Sequence, residues 1–154
     1  MEKVFDFIID ARKAFIKLVD SLTIEQLNKI PDGFNNNIIW NFGHILVSTQ
    51  TLCYVRTGIL PDTSTVKFVE SYKKDTRPTY TVTEQEIAEL KALALDSIEK
   101  IKVDYANGVF ANITPFSTST YGVEMKSIEE VLITTIGHDN THFGYALAQR
   151  KVVI

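Results

Sequence analysis

Apolar residues at Val4, Ile8, Ala11, Phe15, Leu18 and Leu22 alternate in steps of four and three, which is one face of an amphipathic helix. The same helical period returns in three later segments, and this repetition constrains the fold more than any other feature of the chain. A second long helix is expected to begin at Asn36 or Asn37, whose side-chain oxygen can accept from the first free backbone amides, and to end at Arg56 or Thr57 before Gly58. A third opens at Thr83, with Glu86 three residues on as a capping box. Its buried stripe is Ile87, Leu90, Ala94, Ile98 and Ile101, and it ends before Gly108. A fourth follows Ser127, where Glu130 completes another capping box, and runs to about Lys151. Between the first two, "TIEQ" pairs Thr23 with Gln26 and predicts a short helix to Ile30 before "PDGF" forces a turn.

The long connections carry different signals. From Ile59 to Val82 the period lapses, with Pro61, Pro78 and many Thr and Ser, although "VKFVESYKK" has the pattern of a short surface helix. The second connection, "VFANITPFSTSTYGVEMK", has room for extended residues but not for a sheet. Four long helices with one short-helix corner and two crossovers predict an all-α, four-helix bundle, a single domain over residues 1–154. Helices of about 20 residues reach roughly 30 Å, enough for one shared core.

Charge and composition narrow the partners. Sixteen basic against nineteen acidic residues give a net charge of -3, with no basic block to neutralise a phosphate backbone or hold an anionic membrane. Neither nucleic acid nor membrane is expected as a partner. The stretch "MEKVFDFIIDARKAFIKLVD" is interrupted by charges too often for a signal peptide or a membrane span, so a cytoplasmic protein is expected. The single cysteine, Cys53, excludes an internal disulfide framework and lies among apolar helix positions, where it reads as a small buried hydrophobe.

The histidines are placed where a bundle wants apolar side chains. On the fourth helix the inward stripe reads Ile128, Val131, Thr135, His138, His142 and Tyr145, so two imidazoles point the same way from adjacent turns. That is the spacing with which zinc-protease helices hold a metal, but the protease's glutamate is absent. Asp139 stands after His138, and a helical wheel directs it away from the metal side. The third histidine, His44, falls on the inward stripe of the second helix, between Trp40 and Val47. Spacing alone leaves two readings open. The three are ligands of a divalent metal with one open position, or each is a core histidine satisfied by a carbonyl or hydroxyl.

These residues resemble the DinB/YfiT-like superfamily of metal-binding four-helix bundles, whose pattern is a large residue and "GH" on the second helix, then H-x-x-x-H on the fourth. Here those read "WNFGH" and "HDNTHFG". The order of segments agrees over nearly the whole chain, with "FVESYKKDTRP" in the place of the family's short crossover helix. The resemblance implies a divalent metal, zinc or nickel most often, held by His44, His138 and His142. Asp139 stands where the family usually has Glu or another polar residue beside the first of the paired histidines, and the sequence departs from the pattern where Tyr145 replaces the glutamine that usually follows Gly144, a change that leaves the ligands intact but alters the residues expected around them. Gly144 is expected to permit close helix packing.

The resemblance further implies an enzyme that transfers or isomerises with a low-molecular-weight thiol such as bacillithiol, mycothiol or glutathione, acting on a small-molecule substrate. The alternatives are a hydrolase using metal-activated water, or a metal- or small-ligand-binding protein without activity. A metal on three neutral histidines keeps its full charge, which favours a bound thiolate or hydroxide. No catalytic or cofactor-binding residue beyond the three histidines is assigned. Asp6 and Asp10 fit a solvated helix face, Tyr54, Tyr121 and Tyr145 fit core edges, and Arg56, Arg77 and Arg150 fit solvated helix ends as well as substrate contacts. Phe5, Ile9, Ile16 and Val19 lie off the main stripe of the first helix and, with the resemblance, predict a homodimer that covers them.

Overall fold

The computed structural model describes residues 1–154. It contains helices α1 (Glu2–Asp20), α2 (Ile24–Asn28), α3 (Ile38–Gln50), α4 (Val69–Tyr72), α5 (Glu84–Ala106) and α6 (Ile128–Val153). A π-helical segment, Thr51–Arg56, continues α3 and shifts the register of the side chains beyond it. The fold is an all-α bundle, as the periodicity predicts. α5 and α6 each pack against both α1 and α3, which lie on the bundle's diagonal.

The predicted caps form at four helix starts. Thr23 accepts from Gln26 N and Ser127 from Glu130 N, each with the reciprocal bond of a full capping box. Asn37, not Asn36, caps α3 by accepting from Trp40 N at 2.9 Å. At α5, Thr83 accepts from Glu86 N, but the predicted reciprocal bond is replaced: Glu86 Oε1 accepts from Tyr72 and Tyr80 hydroxyls at 2.6 and 2.8 Å. Two phenols outcompete one local amide for that carboxylate.

The apolar core is divided. One cluster gathers Phe15 and Leu18 of α1, Ile45 and Val47 of α3, Ala94 of α5 and Ala146 of α6. A second gathers Phe5 and Ile8, Cys53, Ile98, and Val131 and Leu132. Between them on the same helices lie Arg12, Thr49, Ser97 and Asp139, all buried. Arg12, wholly inaccessible, donates from Nε to Asp139 Oδ2 at 2.7 Å and from Nη2 to Thr49 Oγ1 at 2.6 Å, with a longer contact to the Ala94 carbonyl. One guanidinium thus joins four helices, and its charge is paired with a carboxylate where water cannot reach.

Three expectations change at this level. The buried face of α1 is Phe5, Ile8, Arg12, Phe15, Leu18 and Val19, rotated from the predicted stripe so that Ala11 is only partly covered. Phe5 and Val19, read as exposed apolar surface favouring a homodimer, are 2 % exposed within one chain, whereas Phe7 is 64 % exposed. α3 is buried on every side, from Asn37 to Val47, since it is apolar all round and helices surround it. The second connection holds one antiparallel bridge, Phe116 to Met125, and no sheet.

Candidate metal centre

Each residue of "WNFGH" has a separate task at one site. Trp40 stacks on His44 one turn away, ring centroids 4.7 Å apart and nearly parallel. Asn41 reaches across to α6, where its Oδ1 lies 2.8 Å from His142 Nδ1. Phe42 packs into the core on Phe15. Gly43 leaves room for the Tyr72 ring, since a Cβ there would stand 2.5 Å from it. That close approach brings the Tyr72 carbonyl within 2.7 Å of His44 Nδ1.

These contacts fix the tautomers. Asn41 Nδ2 is surrounded by acceptors, Asn36 Oδ1, the Asn37 carbonyl and Gln149 Oε1, so Oδ1 must be the atom that faces His142. His142 therefore donates from Nδ1 and keeps the lone pair on Nε2. His44 likewise donates from Nδ1 to the Tyr72 carbonyl, leaving Nε2 to a weaker bond from the Ser48 hydroxyl at 3.3 Å. His138 Nδ1 is buried without a partner and faces Asp139 Oδ1, also unpartnered, across 3.9 Å, too long for a hydrogen bond. The helical wheel directs Asp139 away from the metal side, and its Oδ2 does go into the core onto Arg12, but its Oδ1 lies on the His138 side.

The three imidazoles converge. Their rings are 4.6 to 5.2 Å apart, and one nitrogen of each lies within 4.8 Å of those of the other two. Burial is the main cause that holds His44 down at about 4 and His142 at about 3, with neighbouring histidines adding to it. Both are neutral near pH 7 and present lone pairs. Three imidazoles beside an open pocket form the donor set that holds a divalent metal with one position free. Two have their far nitrogen held by a backbone or amide oxygen, which is how metal-binding histidines are oriented.

The histidines lie at the wall of a cavity of about 710 Å³, bounded by α3, the π segment, α6 and residues 118–121 of the second connection. Arg56 and Tyr121, two of the residues left unassigned by sequence, line it. A Cβ on Gly137 would stand 2.6 Å from the Tyr121 hydroxyl, so that glycine admits the phenol beside His138. The other candidates lie elsewhere. Tyr54 donates to Asp104, Tyr145 is exposed and edge-on to Phe34, and Asp6, Asp10 and Arg150 are on the surface. Arg77 lines a separate small cleft. Cys53 is buried and its thiol is pushed up to about 12, so it stays protonated.

Sequence reading missed Asn41, the Tyr72 carbonyl, Arg12 and Gln149. It expected Gly144 to serve packing, but nothing lies within 4 Å of a Cβ there, and Gly43, Gly58 and Gly137 are the glycines that admit a neighbour. It noted Tyr145 in the place of the family's usual glutamine; Gln149, one turn on, is fully buried in the Asn41 network. The family model of the DinB superfamily matches residues 8–146. None of the curated proteins matches the chain.

Proposed function

Since the chain belongs to the DinB superfamily, we propose that His44, His138 and His142 bind one divalent metal ion, zinc or nickel, and that the protein transfers a group to or from a low-molecular-weight thiol. The observation that carries this reading is the histidine cluster itself, buried on one side by tautomer-fixing contacts and open on the other to a cavity of substrate size. A divalent cation bound there would keep its full charge and lower the pKa of a coordinated thiol or water.

The chain's own residues favour the thiol over water. The cavity lining contains no Asp or Glu, and Asp139, the nearest carboxylate in sequence, is buried outside that lining with Oδ2 on Arg12. Each nucleophile forms by losing one proton, and a thiol starts from a pKa of about 8.5 against about 15.7 for water, so a site without a carboxylate base suits the thiol better. In the transfer, the thiol sulfur bonds to an electrophilic carbon, the leaving group departs with its electron pair, and the thiol proton passes to solvent. Tyr121, held against Gly137, supplies a hydrogen-bond donor near the reacting atoms, and Val47, Leu52 and Val69 give an apolar wall for the electrophile.

The test is turnover of an electrophile, such as a chlorinated nitroarene, with glutathione, bacillithiol and simple thiols, with and without chelator. Chelator-sensitive thiol transfer supports the reading. Chelator-sensitive ester or amide hydrolysis without thiol transfer supports the hydrolase instead, and metal binding with neither activity supports a binding protein.

A further inference from the structure

We propose that the cavity beside the three histidines is built for a small molecule carrying two or more anionic groups, bound through Arg56, Lys73 and Lys74. This rests on the thiol reading above only in taking the anion to be part of the thiol co-substrate.

The whole chain is acidic, with nineteen carboxylates against sixteen cations, yet the cavity reverses that balance: its lining has three cations and no carboxylate. Two of the three cations are held in place without a carboxylate partner. The Arg56 guanidinium lies over the Phe116 ring, 4.9 Å from its centroid, and Nη2 donates to the Ser117 carbonyl at 3.1 Å. Those contacts use one edge and one face of the guanidinium and leave further N–H donors for an anion. Lys74 Nζ donates to Ser119 Oγ at 3.1 Å, a neutral partner that orients it and leaves its charge uncompensated. Lys73 is paired with Glu70 at the rim, at 2.5 Å, an exposed pair of little strength that a multiply charged ligand can compete for. Thr118, Ser119 and Thr120 add a run of hydroxyls along the same wall.

The cations stand on different elements, Arg56 at the end of the π segment and the lysines just after α4. A single small anion has no reason to need all three, and a ligand with separated anionic groups does. Its remaining end then lies toward the histidines.

The test uses zinc-loaded protein and three probes: mercaptosuccinate, a thiol with two carboxylates; 2-mercaptoethanol, a neutral thiol; and succinate, the dicarboxylate without the thiol. Calorimetric titration should show mercaptosuccinate binding about tenfold or more tighter than 2-mercaptoethanol, the preference shrinking as salt is raised. The combined variant Arg56→Gln, Lys73→Gln, Lys74→Gln, all exposed positions, should keep its zinc and lose the preference to about twofold or less. Lys3→Gln, Lys13→Gln, Lys17→Gln on α1 changes net charge equally and should leave the preference intact, which separates a local site from general attraction. Equal binding of the two thiols, or equal loss in both triple variants, overturns the anion site and leaves the thiol reading standing. Succinate binding as tightly as mercaptosuccinate, with or without zinc, keeps the anion site and removes the thiol reading.

Discussion

Asn41 Oδ1 lies 2.8 Å from His142 Nδ1, so an amide on α3 decides which nitrogen of an imidazole on α6 turns toward the cavity. The amide is itself held by Asn36, Asn37 and Gln149. Asn41→Ala should therefore weaken zinc affinity about 10- to 100-fold without removing a ligand, because the His142 ring loses its orientation. The same change leaves the buried Gln149 Oε1 without its donor and should cost about 1–3 kcal/mol in stability. Competition against a chromogenic chelator and a denaturant melt measure the two effects separately. Unchanged affinity in a folded variant would show that the amide does not orient the ligand.

The glycines give a paired prediction. Gly43→Ala drives a methyl into the Tyr72 ring, which is 2 % exposed and has no room to retreat, and should destabilise by about 1–3 kcal/mol while loosening the carbonyl that holds His44. Gly144→Ala meets nothing within 4 Å in the middle of α6 and should be neutral or stabilise by about 0.5–1 kcal/mol. The melting temperature should fall for Gly43→Ala and hold or rise for Gly144→Ala.

Arg12 and Asp139 hold the polar layer between the two apolar clusters. Arg12→Met leaves the Asp139 carboxylate buried and unpaired, and should cost about 3–5 kcal/mol. Arg12→Met with Asp139→Leu removes both charges and should recover most of that loss, as neutral side chains of similar size can fill the layer. Urea melts of the single and double variants check this, and a double variant no more stable than Arg12→Met contradicts it.

The histidines set a pH dependence in metal-free protein. His44 and His142 titrate at about 4 and about 3 when folded, below the ordinary 6.5, so the unfolded chain binds more protons than the folded one between those limits. Their contribution to stability is complete above 6.5 and is lost as pH falls through that window to about 3. Denaturation in the presence of chelator should show this loss in wild type, and His44→Gln with His142→Gln should flatten the curve between pH 6.5 and 4.

Much of this fold can be read from sequence because its helices announce themselves. Thr23, Asn37, Thr83 and Ser127 cap where local chemistry says they must, and the apolar period survives burial. His138 and His142 are visible as a pair for the same reason, being polar residues in an apolar stripe. What fails is the reading of every charge as a surface group, since Arg12 and Asp139 are buried. Arg12 looks like one more solvated cation on α1 until Asp139, 127 positions later, supplies its partner. Tertiary pairing across that distance leaves no local mark. Gly43 and Gly144 look alike in sequence, and only the position of Tyr72 distinguishes them. Arg56 and Tyr121 become cavity residues because a π segment and a long crossover happen to meet there, and neither has a period to follow.

Metal binding by the three histidines is measured most directly by thermal melts of wild type and His142→Ala, each with zinc and with chelator, on protein purified without a histidine tag. At a hundredfold excess over its dissociation constant, zinc should stabilise wild type by about 2.7 kcal/mol, chelator should remove that increment, and His142→Ala should fold but show none of it. A wild-type melt unmoved by either addition, or a His142→Ala variant with the full increment, contradicts the assignment.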